Sequence, residues 1–218
     1  MKENAVHRFV IEPAIDSPDA VAVIDASSGL KTTRKELLEG VQAVARLLIS
    51  RGVTPEQRIL MCCVDTPTFL MWFWGAMWMG AVPVPVSTML TEKDYRFLIE
   101  DSRAFGVAFS QEFQELITSA GTDQPFLRWS QLDSEFDISS DEAETPEPYP
   151  SIKDDIAFWL YTSGTTGFPK GAMHRHADLG FCTDMYAATV LEMNASDVVY
   201  SVAKLFFAYG LGNAGYFP

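Results

Sequence analysis

Short apolar runs alternate along this chain with longer amphipathic stretches. Residues 20–25, AVAVID, read as a strand closed by a Ser28-Gly29 turn. Thr33 and Glu36 precede a helical stripe of Leu37, Leu38, Val41, Val44, Ala45 and Leu48, so a capping box predicts the start of an amphipathic helix. Gly52 predicts its end. The unbroken apolar run ILMCCV, 59–64, predicts a strand buried on both faces. Thr91 and Asp94 repeat the capping pattern ahead of another helix. FGVAFS at 105–110 predicts the next strand, and 111–119 a short helix.

Between these elements lies FLMWFWGAMWMGAVPVPV, residues 69–86, without a charged side chain. A run of about 18 such residues is long enough to suggest a membrane span. Gly80, Pro83 and Pro85 interrupt it, which predicts a buried helix over 67–79, then an extended segment, and no membrane insertion. Strand and helix in alternation set the fold class as α/β, with layered, mostly parallel sheets and flanking helices. No internal repeat is evident.

From 133 to 150 the pattern lapses. DSEFDISSDEAETPEPYP is acidic and proline-rich without apolar period, and reads as a solvated connection. The expected organisation is a first α/β subdomain over 1–132, a connection over 133–153 and a second unit over 154–218. DDIAFWLY, 154–161, predicts a buried strand that delivers the loop YTSGTTGFPKG at 161–171.

That loop carries legible chemistry. Gly164, Gly167 and Gly171 permit sharp turns and close backbone approach to a ligand. Thr162, Ser163, Thr165 and Thr166 can donate to phosphate oxygens, and Lys170 adds a mobile positive charge suited to a polyphosphate. A Walker loop places lysine directly after its last glycine; here Phe168 and Pro169 intervene and Gly171 follows. A plain surface turn uses the same residue types, but the hydroxyls, glycine spacing and lysine together favour a phosphate cradle.

Composition narrows the partners. The chain has 218 residues, 48% of them hydrophobic, and a formal net charge of -13. It can therefore bury a core, while its charge gives no attraction for nucleic acid or an anionic membrane. Cys62, Cys63 and Cys182 form no CxxC pair and leave an odd count, which reads as a reducing, cytoplasmic setting. The N-terminus lacks the apolar core of a signal peptide. His174 and His176 would point one way from a strand, but neither His7 nor Cys182 completes a cluster, so no zinc site is expected. Nothing in the sequence fixes an oligomeric state.

The loop YTSGTTGFPKG resembles the phosphate-binding signature of the adenylate-forming acyl-CoA synthetase (AMP-binding) superfamily. MWMGAVPVPV is similar to another segment of that superfamily, and SVAKLFFAYGLGN, 201–213, to the acyl-pocket stretch of its benzoate and 4-hydroxybenzoate CoA ligases. Arg34 departs from an aromatic usual in a structural segment, and Phe207 and Lys204 stand where many relatives carry histidine and proline. The resemblance implies an ATP-dependent aryl-CoA ligase: a benzoate-like carboxylate and ATP form an acyl-adenylate and pyrophosphate, and coenzyme A then takes the acyl group. It implies Mg2+ beside the phosphates with Thr162 as a hydroxyl ligand, pyrophosphate contacts from Thr165, Thr166 and Lys170, and an acyl pocket lined by Phe207, Ala208, Tyr209 and Gly210. Phe206 reads equally well as core.

By the same resemblance the adenine and ribose segments, the acidic magnesium ligand, the hinge and the C-terminal domain with its adenylation lysine all lie downstream. The chain is thus expected to be an N-terminal fragment, inactive alone. A non-catalytic ATP- or aryl-acid-binding module of the same fold is the alternative, and a phosphotransferase with an unusual loop a third reading.

Overall fold

A computed structural model describes residues 4–138, 145–162 and 168–218. A helical turn, His7–Ile11, runs into α1, Glu12–Asp16. Val21–Ile24 (β1) and Lys31–Thr33 (β2) then pair antiparallel across a turn in which Gly29 takes φ 73°. The predicted strand is found; its partner, three residues long, is too short to leave a pattern.

The capping box at Thr33 forms as read and opens α2, Arg34–Ser50. Thr33 Oγ1 accepts the Glu36 N–H at 3.2 Å, and the Glu36 carboxylate accepts the Thr33 N–H at 2.7 Å. Gly52, at φ 75°, turns the chain out of the helix. The alternation continues through Arg58–Cys62 (β3), Pro67–Trp78 (α3), Val82–Pro85 (β4), Glu92–Ser102 (α4), Gly106–Phe109 (β5), Gln114–Gly121 (α5) and Trp129–Leu132 (β6). The four strands form one parallel sheet in the order β4-β3-β5-β6. Its period-two side-chain pattern splits the core. Ile59 and Met61 join one buried cluster with Leu48, Trp72 and Phe73, while Leu60 and Cys62 join another with Tyr95, Leu98 and Val107.

The uncharged run is explained by α3, which is buried on every side from Phe69 to Trp78. Among the described residues no helix is long and apolar enough to cross a membrane. Two glycines let α3 press onto α2. A Cβ added at Gly40 would stand 2.4 Å from Met71 Sδ, and one at Gly75 2.7 Å from Val44 Cβ and 2.9 Å from the Val41 carbonyl.

The acidic stretch is tied down more than its composition suggests. Trp72 Nε1–H donates to the Asp133 carbonyl at 2.6 Å, Trp78 Nε1–H to Pro146 at 2.8 Å, and the Tyr149 N–H to Trp78 at 2.7 Å. Asn4 closes the same seam by donating to the carbonyls of Met77 at 2.8 Å and Tyr149 at 3.2 Å. Beyond it, Ile156–Thr162 (β7) and Lys170–Arg175 (β8) form an antiparallel pair, followed by α6, His176–Cys182, and a single-turn α7, Ala208–Leu211. Phe158, Leu179, Leu205 and Leu211 bury into the cluster that holds Trp72.

Candidate active site

β7 is the predicted strand that delivers the loop, and β8 carries the chain back. Their register sets Thr162 opposite Lys170 and Tyr161 opposite Gly171. Ser163, Gly164, Thr165, Thr166 and Gly167 lie outside the described residues. Lys170 is therefore the first residue of a strand, with an exposed side chain, and the Thr162 hydroxyl stands 3.5 Å from its carbonyl oxygen. Gly171 is closely flanked: a Cβ there would stand 3.2 Å from Trp159 and in ordinary contact, 3.7 Å, with the Tyr161 ring.

Both stems of the loop rest on one face of α4. The Tyr161 hydroxyl donates to Asp101 Oδ2 at 2.7 Å. Burial, followed by that carboxylate acceptor, pushes the Tyr161 hydroxyl well above its ordinary pKa, so it stays a donor. The Phe168 ring lies 5.5 Å from that of Phe97, one helical turn before Asp101. Sequence patterns gave no sign of either contact.

The second candidate group sits on α7. Phe207 precedes this turn in extended backbone, and Ala208, Tyr209 and Gly210 form it. Phe207 and Tyr209 are 49% and 68% exposed and Ala208 is exposed too, so these residues make an open wall. Phe206, 5% exposed, is core, and its ring lies 4.4 Å from that of Phe207. Gly210 is confined by the preceding turn, since a Cβ would fall 2.1 Å from the Lys204 carbonyl oxygen. Asp65, just past β3, reaches that turn: Oδ1 accepts the Leu205 N–H at 3.1 Å and Oδ2 stands 3.6 Å from Lys204 Nζ. Asp65 and Leu205 also border a cleft of about 560 Å³ flanked by Phe9, Trp74 and Tyr200. Asp65 could have been suspected as a polar residue at the carboxyl end of a buried parallel strand. Among the described residues no hydrogen bond or ion pair joins Thr162 or Lys170 to residues 207–210.

The two histidines part company. His174 lies on β8, with its ring stacked on Phe158 at 4.5 Å and 6°. The expected shared strand ends at Arg175, because Asp178 accepts the Arg175 N–H at 2.8 Å and starts α6 at His176. His176 Nδ1 accepts the Ala5 N–H at 3.2 Å, and burial lowers its pKa to about 4. Among the described residues no group of three His, Cys, Asp or Glu side chains could hold a metal ion. Among the described residues Thr162 offers a cation one exposed hydroxyl and no cage of protein oxygens.

The family described as AMP-binding enzyme matches residues 12–218. The 4-hydroxybenzoate--CoA/benzoate--CoA ligase of Rhodopseudomonas palustris is 40% identical over 206 residues, covering 91% of this chain and 38% of its own length. The benzoate--CoA ligase of Thauera aromatica is 40% identical over 173 residues, covering 77% and 33%. A solved benzoate CoA ligase from Burkholderia xenovorans LB400 superposes with a TM-score of 0.85 at 35% identity, over 96% of this chain and 42% of that one. An anthranilate CoA ligase bound to anthranoyl-AMP gives a TM-score of 0.88 at 26% identity, over 99% and 42%. The chain spans between a third and about two fifths of the length of these relatives.

Proposed function

Since the chain belongs to the AMP-binding enzyme family, we propose that it is part of an ATP-dependent aryl-CoA ligase acting on a benzoate-like carboxylate. One observation carries the reading of the substrate: relatives matching 77% and 91% of this chain at 40% identity are named for benzoate and 4-hydroxybenzoate. The open wall of Phe207, Ala208 and Tyr209 supports it, because a planar ring stacks on flat side chains and a small residue leaves it room.

In this reading the substrate carboxylate attacks the α-phosphorus of ATP and pyrophosphate leaves. Charge then grows on the β- and γ-phosphates, where Thr165, Thr166 and Lys170 donate. Ser163, Gly164 and Gly167 would add hydroxyl and backbone donors for the phosphates. Thr162 would hold magnesium, which when bound screens phosphate charge from the incoming carboxylate. In the second half-reaction the coenzyme A thiol attacks the acyl carbon, and AMP leaves as the thioester forms.

ATP–pyrophosphate exchange with benzoate tests the proposal. The full-length enzyme should exchange at ordinary enzyme rates and the 218-residue chain only at background, because this chain holds part of the positioning groups. Full-length exchange driven by acetate but not by benzoate would overturn the aryl reading.

A further inference from the structure

Asp65 leaves the sheet at the carboxyl end of β3 and spans 140 residues to reach the Lys204–Leu205 peptide. There the chain changes character. Leu205 and Phe206 are 8% and 5% exposed, while Phe207, Ala208 and Tyr209 face outward. The Lys204 carbonyl accepts the Phe207 N–H at 3.0 Å, and Gly210 closes against the same carbonyl. Asp65 thus grips the turn from which the whole aromatic wall projects.

The geometry points to Asp65 as a specificity-determining positioning residue, one that sets the wall for the acyl ring by holding the Leu205 amide. The assignment rests on the aryl-ligase reading above. Of its two contacts, the amide bond does the positioning. Lys204 is largely exposed, and an ion pair at the surface contributes little and fixes no direction. The Leu205 N–H is part of the backbone, so a side-chain oxygen that accepts from it fixes the path of the chain into Phe207. Without it the turn keeps its buried anchors, Leu205 and Phe206, but loses its hydrogen bond to the segment that follows β3. A planar acid that needs the wall in one orientation then suffers more than a flexible chain of similar size.

Asp65→Ala and Asp65→Asn separate the contacts, since an asparagine Oδ1 still accepts from Leu205 while the charge toward Lys204 is gone. In the full-length enzyme the kcat/KM ratio of benzoate to hexanoate should fall about tenfold in Asp65→Ala and stay near wild type in Asp65→Asn. Hydrogen exchange on the 218-residue chain should show Leu205 losing about tenfold or more protection in Asp65→Ala alone, with the sheet amides unchanged. An unchanged ratio with Leu205 still protected overturns the proposal, and so does loss of protection across the whole chain. If the wild-type enzyme activates no aryl acid, the ligase reading fails by itself; the exchange measurement then still decides whether Asp65 holds the turn.

Discussion

The Tyr161 hydroxyl bonds to Asp101 Oδ2 across 60 residues, tying β7, the strand that leads into the proposed phosphate loop, to the end of α4. Tyr161→Phe removes the tie and keeps the ring. Asp101 is exposed and can turn to water, so the stability loss should be only ~1 kcal/mol by thermal denaturation. In the full-length enzyme the KM for ATP should rise while the KM for the carboxylate barely moves. A larger change for the carboxylate would place the effect at the acyl wall instead.

Lys170→Ala should leave stability within about 0.5 kcal/mol, because the side chain is exposed at a strand start. Losing a charge-assisted phosphate contact is worth ~1.5–3 kcal/mol, or about 10- to 150-fold in adenylation. Thiolysis started from preformed acyl-adenylate should be much less affected. Equal losses in both half-reactions would make the lysine a structural residue.

Ala208→Leu should narrow the space beside Tyr209. Overpacking of ~1–3 kcal/mol should fall hardest on ring-bearing acids. Steady-state comparison of benzoate, 4-hydroxybenzoate, hexanoate and acetate reads this out. A uniform loss over all four acids would remove Ala208 from the acyl wall.

Gly75→Ala should destabilise the chain by ~1–3 kcal/mol although alanine is the better helix former by about 1 kcal/mol. The added Cβ meets Val44 and the Val41 carbonyl, and the carbonyl belongs to α2 backbone that has little room to retreat. Denaturant unfolding measures the difference. A stabilised Gly75→Ala variant would mean that α2 and α3 separate more easily than their packing indicates.

His176 gives a pH dependence of stability. Its pKa is lowered by burial to about 4 in the folded chain against an ordinary 6.5, Asp155 opposing weakly. Between those values the unfolded chain binds the proton and the folded one does not. Stability should therefore fall as pH drops from about 6.5 towards 4, by at most about 1.4 kcal/mol per pH unit. Half-buried His174, also lowered by burial, adds in the same direction. His176→Asn, which keeps an acceptor for the Ala5 N–H, should flatten the curve in urea titrations across that range.

Local signals were legible in the sequence and distant pairings were not. The capping boxes at Thr33 and Thr91, the glycine stop after α2 and the buried α3 each follow from residues within a turn or two of one another. The parallel sheet followed from their alternation, except β6, whose WSQL at 129–132 alternates only weakly. The histidine pair was misjudged because Asp178, the residue that opens α6, lies beyond the strand pattern. The loop residues were proposed from side-chain type and spacing, and residues 207–210 from a family resemblance alone. The contacts of Asp101 and Asp65 were not legible, although the place of Asp65 after a buried strand was, since periodicity does not say which polar group meets which across 60 or 140 residues.

Asn4 and Ala5 have a consequence for biosynthesis. Asn4 donates to Tyr149, 145 residues on, and the Ala5 N–H to His176, 171 residues on. At about 5–20 residues per second, a ribosome needs roughly 10–35 s to make the second of these partners. The parallel sheet, complete at Leu132, can assemble within that interval while Asn4 has only Met77 of these acceptors and Ala5 has none. Asn4 and Ala5 thus complete their bonds late in synthesis, Ala5 only after β7 has emerged.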